Sequence, residues 1–344
     1  MIKKKILTLL VGFVFATTYI NVYADSNYKK ALINGDNKQI SMELNKSYFK
    51  KADEAIIINE NAGVDAISAT PLAYLKDAPI IAVDGKKISN DILNYIKGLE
   101  VKDVTIIGGV KNVSKSVEKQ LHDMGININR IHGENRYETS QSIAEEMGKE
   151  KDISNVVVIS NTAGLENAIA ISNFACKKNA PIIWADDNSF RDTSDFVEEQ
   201  EYDNVYAVGN SARFTYASKN EMNNVKIIKE MSRYETNIDT IKENNKNLDT
   251  IYTVNIDYGN RADISKYVSL PVVAAKEDIP ILVCNDNFTY PQEEFIKKNV
   301  DKVIEVGEAV EPYSIIDTLK NKSFIRVYII ILAMIVILIR GVKA

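Results

Sequence analysis

Three short sequence markers recur along this chain at intervals close to 100 residues. The first is a proline followed by an apolar run: DAPII at 77–81, NAPII at 179–183 and DIPIL at 278–282. The second is an apolar run that ends in glycine: VTIIGG at 104–109, VYAVGN at 205–210 and VIEVGE at 303–308. Because independent markers share one spacing, the sequence predicts a threefold repeat in which each copy has its own core.

The third marker, RYET, occurs at 136–139 and again at 233–236. Counting back 98 residues from the start of GENRYET reaches GDNKQIS, which matches it only loosely. This alignment sets Lys38 opposite Arg136, so the first copy of the motif is degenerate. The predicted modules cover residues 33–131, 132–230 and 231–323.

Within each module, short apolar runs alternate with amphipathic stretches. In the second module the predicted helices are ETSQSIAEEMGKE, LENAIAISNFACKK, FRDTSDFVEEQ and ARFTYASKNEM, and the predicted strands are NVVVIS, APIIWA, NVYAVG and NVKII. Continuous Val and Ile runs indicate strands that are covered on both faces. We therefore predict an α/β fold of three tandem modules, each an open, mainly parallel sheet flanked by helices.

The first 24 residues have the pattern of a secretory signal. Three lysines precede the apolar run ILTLLVGFVFA, and VYA forms a small-residue cleavage site before Asp25. An uncleaved membrane anchor is the alternative. We expect residues 1–24 to be a signal peptide and the mature chain to work outside the cytoplasmic membrane.

The C-terminal tail is apolar from Phe324 to Ile339 apart from Arg326, and two further basic residues follow. Extended to Val342, a helix here is about 28 Å long, enough to span a bilayer when the arginine reaches outward. Alternatively, FIRVY at 324–328 is the last strand of the third module, which leaves 11 apolar residues, too few to span. We predict a transmembrane helix at 324–342, a cytoplasmic C-terminus and a third module without its last strand.

Charge and residue supply limit the function classes. Without the first 24 residues the chain has 39 basic and 47 acidic residues, so nucleic acid is not an expected partner. The only histidines, His122 and His132, supply a metal site or a Ser-His-Asp triad poorly, and we expect neither a metal nor a cofactor. Cys176 and Cys284 lack metal-type spacing; buried free thiols are the default interpretation and a disulfide is the alternative.

The GENRYET opening, the APII strand, the IIGG strand end and VSKSVEKQL at 113–121 together resemble the cell-wall-binding repeat type 2 family of Gram-positive surface proteins. The resemblance covers residues 33 to 323 as three tandem copies. It implies non-covalent attachment to an anionic wall glycopolymer and three lobes with pseudo-threefold symmetry. Such repeats usually accompany a separate functional domain, but nothing of enzyme size remains here beyond the signal, the repeats and the tail.

A phosphate-bearing polymer calls for arginine, whose planar fork pairs with phosphate oxygens. Arg136 and Arg233 precede predicted helices, where free N–H groups and the helix dipole favour anions. With Lys38 and Arg261 they form the candidate polymer-binding set, and its repetition gives avidity. The alternative is that the motif is an inter-module clasp formed with Tyr137, Glu138, Thr139, Tyr234, Glu235 and Thr236.

A second group of candidates follows the first strand of each module: Asp65, Asn167 and Asp263. In open α/β sheets, ligands bind beyond the carboxyl ends of the strands, where these loops belong. Ordinary helix capping is the alternative role for such residues.

The sequence therefore predicts a non-enzymatic cell-surface protein that binds an anionic wall glycopolymer and links it to the membrane. One alternative is a scaffold that binds another wall or membrane protein, which the acidic charge favours. The other is a carbohydrate-active enzyme with paired carboxylates in a loop such as Asp186 and Asp187.

Overall fold

The computed structural model describes residues 28–161, 168–209, 211–228, 233–245, 247–256 and 264–312. The strands are β1 Lys29–Ile33, β2 Glu54–Asn59, β3 Ile80–Val83, β4 Asp103–Ile107, β5 Asn127–Ile131, β6 Asn155–Ser160, β7 Ile182–Ala185, β8 Asn204–Val208, β9 Val225–Ile228, β10 Thr250–Asn255, β11 Ile281–Cys284 and β12 Lys302–Val306.

The α-helices alternate with these strands. They are α1 Asn37–Tyr48, α2 Gly63–Leu75, α3 Asn90–Leu99, α4 Lys115–His122, α5 Arg136–Glu150, α6 Ala168–Lys178, α7 Arg191–Glu199, α8 Ala212–Glu221, α9 Arg233–Asn244, α10 Leu270–Lys276 and α11 Tyr290–Asn299. All eight elements predicted for the second module are present, which confirms the periodicity argument. No helix among the described residues is long and apolar enough to cross a bilayer.

Three separate four-stranded sheets form the framework, and every strand pairing in them is parallel. The strand orders are β3-β2-β4-β5, β7-β6-β8-β9 and β11-β10-β12-β1. The central strands are buried along most of their length, as the continuous apolar runs predicted. The predicted fold of three parallel sheets flanked by helices is confirmed.

The third sheet has a fourth strand that the sequence does not predict, because this strand comes from outside the third module. Its fourth place is taken by β1, whose Lys29 to Ile33 pair with Lys302 to Val306. The Lys30 ammonium lies 3.1 Å from the Glu305 carboxylate, and Tyr28 is buried in the core of the same sheet. A period search misses this strand, because it lies before the first module and comes from the opposite end of the chain. Residues 1–24 and 324–342 lie outside the described residues.

The period markers correspond to backbone positions with positive φ. Asp77, Asn179 and Asp278 have φ of 52°, 48° and 56°, a conformation that Asp and Asn tolerate better than most residues. Each turns the chain from a helix end into the edge strand of its sheet. The strand-end glycines Gly108, Gly209 and Gly307 also have positive φ, so the glycine at that point serves a turn, as the sequence indicated.

Helix packing brings the modules together. The inner helices α2, α6 and α10 pack against one another, and one hydrophobic cluster, which includes Ile67, Ile171 and Val273, runs through all three. The helix that opens each module packs on its own edge strand and against the inner helix of a neighbour: α5 on α2, α9 on α6 and α1 on α10. Cys176 and Cys284 are buried and free, which confirms the default interpretation.

Candidate functional site

A polar cleft opens where the first and second modules meet. It lies beyond the carboxyl ends of β2, β4 and β5, between the first turns of α2 and α5, and its volume is about 540 Å³. We call it the α2–α5 cleft. Its lining includes Asp65 from the first module and Arg136 from the second, so two separately predicted candidates face one space.

Asp65 and Arg136 influence each other across this cleft without a hydrogen bond between them. Arg136 is the first residue of α5, is exposed, and donates from Nη1 to Oδ1 of Asn161 at 3.1 Å. Asp65 lies in the first turn of α2, is half-buried, and has no hydrogen-bond partner among the described residues. Burial raises the pKa of the Asp65 carboxyl group, and the positive charge of Arg136 opposes that rise.

The GENRYET sequence fixes the start of α5. Asn135 is the N-cap, and its Oδ1 accepts from the N–H groups of Tyr137 at 2.9 Å and Glu138 at 3.0 Å. Gly133 is required because a Cβ there would lie 2.2 Å from the Cβ of Glu138. The Thr139 hydroxyl accepts from the Gly133 N–H at 3.0 Å, which holds the preceding loop against the helix.

The opposite wall is the loop that follows β4. The Asn59 side-chain amide donates to the Asn112 carbonyl at 2.7 Å, and Arg130 donates to the carbonyls of Gly108 and Val113. These bonds fix the glycine turn. Gly108 lies beside Asp65, because a Cβ built at Gly108 would lie 3.8 Å from Oδ2 of Asp65. Among the described residues no side chain caps helix α2, so the N–H groups of its first turn border the cleft without a side-chain partner.

Lys38 occupies a comparable place in the first module, with a one-residue correction. The N-caps Asp36 and Asn135 lie 99 residues apart rather than 98, so Lys38 is the second residue of its helix, whereas Arg136 is the first. The Lys38 ammonium nevertheless lies 3.1 Å from Glu60, which follows β2 as Asn161 follows β6. The degenerate first copy therefore keeps the contact with a different pair of residues.

The remaining candidates fall into two groups. Arg233 begins α9, but the side chains of Arg233, Tyr234, Glu235 and Thr236 lie outside the described residues, as do Asn167, Arg261 and Asp263. Tyr137 is partly buried and packs on the core, while the Glu138 carboxylate accepts from the Glu134 N–H at 2.9 Å. Glu138 and Thr139 thus bond within the start of their own module.

Sequence reasoning missed a set of lysines at the other end of the inner helices. Three lysines lie at or next to the C-terminal ends of the inner helices, and each pairs with an acidic residue of the next module: Lys76 with Glu150, Lys177 with Asp278 and Lys276 with Asp77. The Lys76–Glu150 and Lys276–Asp77 distances are both 2.6 Å. These three ion pairs form a closed cycle through the modules, and we call them the lysine cycle. Their signal was present, because each lysine closely precedes a DAPII-type marker.

The acidic pair of the enzyme alternative has structural partners. Asp187 is buried and accepts from the hydroxyls of Ser160 and Ser211, both at 2.6 Å. Asp186 accepts from the N–H of Asn188 at 2.9 Å. These bonds brace a loop and give no support to the enzyme alternative.

Comparison with known proteins supplies the biological context. A family model described as cell wall binding domain 2 (CWB2) matches residues 20–118 and 130–217. The N-acetylmuramoyl-L-alanine amidase LytC of Bacillus subtilis is 29% identical over 234 residues, 67% of this chain and 46% of LytC. The amidase enhancer of the same organism is 25% identical over 61% of this chain and 28% of its own length. The chain thus spans less than half the length of these relatives.

Two solved structures have the same fold. Cwp6 from Clostridium difficile superimposes with a TM-score of 0.68 at 26% identity, over 83% of this chain and 46% of Cwp6. Cwp8 from the same organism superimposes with a TM-score of 0.70 at 26% identity, over 82% of this chain and 50% of Cwp8.

Proposed function

The chain belongs to the cell wall binding domain 2 family, and we propose from this that it is a non-enzymatic protein that binds an anionic wall glycopolymer non-covalently. Family membership makes it a wall-binding protein of the cell surface. We divide it into a signal peptide at 1–24 and repeats at 33–131, 132–230 and 231–323. The similarity to an amidase covers only 46% of LytC, so it gives no ground for carrying amidase activity over to this chain.

The observation that carries the proposal is the α2–α5 cleft. It is concave and polar, it lies at the ligand-binding end of an open parallel sheet, and it needs residues from two modules. Arg136 gives it a guanidinium group with N–H donors beyond the one used by Asn161. Arg233, Lys38 and Arg261 are the proposed counterparts, so that several weak contacts add up to firm attachment.

We assign the link to the membrane to residues 324–342. Its support is the apolar sequence, long enough to span a bilayer, with basic residues after it. Truncation after Ser323 should release the protein from the membrane fraction of cells while wall binding is kept. A truncated chain that stays with the membranes would contradict this assignment.

Wall binding is tested with the full chain, solubilised in detergent and sedimented with purified walls before and after acid removal of the anionic polymer. We expect binding to disappear with the polymer, and Arg136→Ala to weaken binding about tenfold, the loss of one charge-assisted hydrogen bond. Arg191→Ala is the matched control, since Arg191 is also an exposed arginine that begins a helix, but it pairs with Asp195 and lies outside the cleft. Binding that survives stripping of the walls would contradict the proposal and indicate a protein partner.

A further inference from the structure

The charge of the α2–α5 cleft does not suit a phosphate group. Asp65 and Glu134 contribute two carboxylates to its lining, and Arg136 is the one cation among its described lining residues. The local charge is therefore negative. A phosphate that entered would meet the attraction of one guanidinium group and the repulsion of two carboxylates.

The hydrogen-bonding groups of the cleft point to a different ligand chemistry. The Asp65 carboxylate and the side-chain amides of Asn61 and Asn112 have no hydrogen-bond partner among the described residues. An ionised carboxylate only accepts hydrogen bonds, and a phosphodiester has no proton to donate. Hydroxyl groups both donate and accept, so they satisfy the carboxylate, the amides and the guanidinium together.

Asp65 combines the favourable place of an acidic residue in the first turn of a helix with a lack of protein hydrogen bonds. It is half-buried at the start of an uncapped helix, it accepts no hydrogen bond there, and its remaining exposure is toward the cleft. A partly buried carboxylate that accepts no hydrogen bond from the protein takes its donors from water or from a ligand, and a ligand hydroxyl group can replace such a water. Because Asp65 lies beside the Gly108 turn in the cleft, a ligand that donates to Asp65 can also contact residues of both modules.

We propose that the α2–α5 cleft binds an uncharged sugar unit of the wall polymer through its hydroxyl groups, and that the phosphates of the polymer lie outside the cleft. The sugar donates to Asp65 and accepts from Arg136, so it bridges the first and second modules. The cleft volume of about 540 Å³ lies within the range of about 300 to 1,000 Å³ for small-molecule sites. This inference rests on the proposed wall-binding function and adds which part of the polymer is recognised.

The test separates the two chemical parts of the polymer. Hydrofluoric acid cleaves the phosphodiester bonds of purified wall polymer and releases neutral oligosaccharides. These oligosaccharides and glycerol phosphate are each titrated against the full chain bound to intact walls. We expect the oligosaccharides to displace the protein and glycerol phosphate to leave it bound. Displacement by glycerol phosphate alone, or by neither probe, would overturn the inference.

Variants locate the effect in the cleft. Asp65→Asn should raise the dissociation constant of the free oligosaccharides for the full chain, measured by calorimetric titration in detergent, at least tenfold, and Asn61→Ala, at an exposed position, should raise it several-fold. Asp91→Asn is the matched control, because Asp91 also lies in the first turn of a helix of the first module but is exposed and outside the cleft. Unchanged dissociation constants for both cleft variants would overturn the inference. Failure of the unaltered chain to bind intact walls would instead refute the proposed function.

Discussion

The two ends of the contact between α2 and α5 use similar charges in opposite ways. At the C-terminal ends, the Lys76 ammonium lies 2.6 Å from Glu150 and 3.1 Å from Glu54, and its side chain is only 10% exposed. At the N-terminal ends, Asp65 and Arg136 make no direct hydrogen bond and border an open cleft. The two helices pack closely along the length between these ends.

The difference lies in whether the buried charge already has its partners. Burial alone would lower the pKa of Lys76, but the carboxylates of Glu150 and Glu54 raise it above its usual value. For Asp65, burial dominates and the pKa is raised, so its charged form is poorly satisfied. The Lys76 end, whose charge is paired, stabilises the contact between the modules. The end with Asp65 and Arg136, whose charges lack a direct hydrogen bond to each other, is available to bind a ligand.

Reversing the charge of Lys76, at the C-terminal ends of α2 and α5, should have the largest effect on stability. Lys76→Glu would place three carboxylates together in a partly buried position, and we expect the free energy of unfolding to fall by about 3 to 5 kcal/mol. Chemical denaturation followed by circular dichroism measures it. Lys149→Glu is the control, because Lys149 is 73% exposed and pairs with Glu146 in the same helix. Equal losses in the two variants would contradict a special role for the lysine cycle.

Neutralising Asp65, at the N-terminal ends of α2 and α5, should have a smaller effect on stability and of the opposite sign. The pKa of Asp65 is raised in the folded state, so the folded chain holds this proton more tightly than the unfolded chain does. The free energy of unfolding therefore falls as the pH rises through that pKa. Asp65→Asn should therefore raise the free energy of unfolding at pH 7 by roughly 0.5 to 2 kcal/mol while weakening polymer binding. The gain should vanish at acidic pH, where Asp65 is protonated in both states.

Thermal unfolding at neutral and acidic pH measures this change, with Asp91→Asn as the exposed control. A lower melting temperature for Asp65→Asn at neutral pH would show that Asp65 is a structural cap rather than a ligand-facing group.

The smallest effect on stability is expected from removing the positive charge of Arg136. Arg136 is exposed, so Arg136→Ala should change the free energy of unfolding by about 0.5 kcal/mol or less. The pKa of Asp65 should rise further, because Arg136 is the charge that lowers it. Carbon-13 NMR titration of the Asp65 carboxyl group measures this shift. A large loss of stability with an unchanged Asp65 pKa would mean that Arg136 acts as an inter-module clasp.

The repeating elements could be predicted from the sequence because they depend on local pattern. Apolar runs, amphipathic spacing and Asx or glycine at positive φ recur in each module, and the second module was predicted element by element. The count that set Lys38 opposite Arg136 was off by one, because capping geometry rather than spacing fixes the register of α1.

What the sequence could not show depends on packing between distant segments. Asp65 and Arg136 were predicted as separate candidates, and only the packing of α5 on α2 brings them to one cleft. The lysine cycle has the same character, since each lysine is near a marker but its acidic partner belongs to the next module.

Strand β1 has a consequence for the order in which the molecule is completed. It precedes every other described strand, yet Lys302 of its neighbour β12 follows Lys29 by 273 residues. The first two sheets close from consecutive strands, whereas the third waits for the end of the repeat region to appear. Such a distant pairing is slow to form, so β1 stays unpaired while the rest of the chain is made. A chain that stops short of β12 thus has a loose first strand, which marks it as unfinished for proteases that cut exposed backbone.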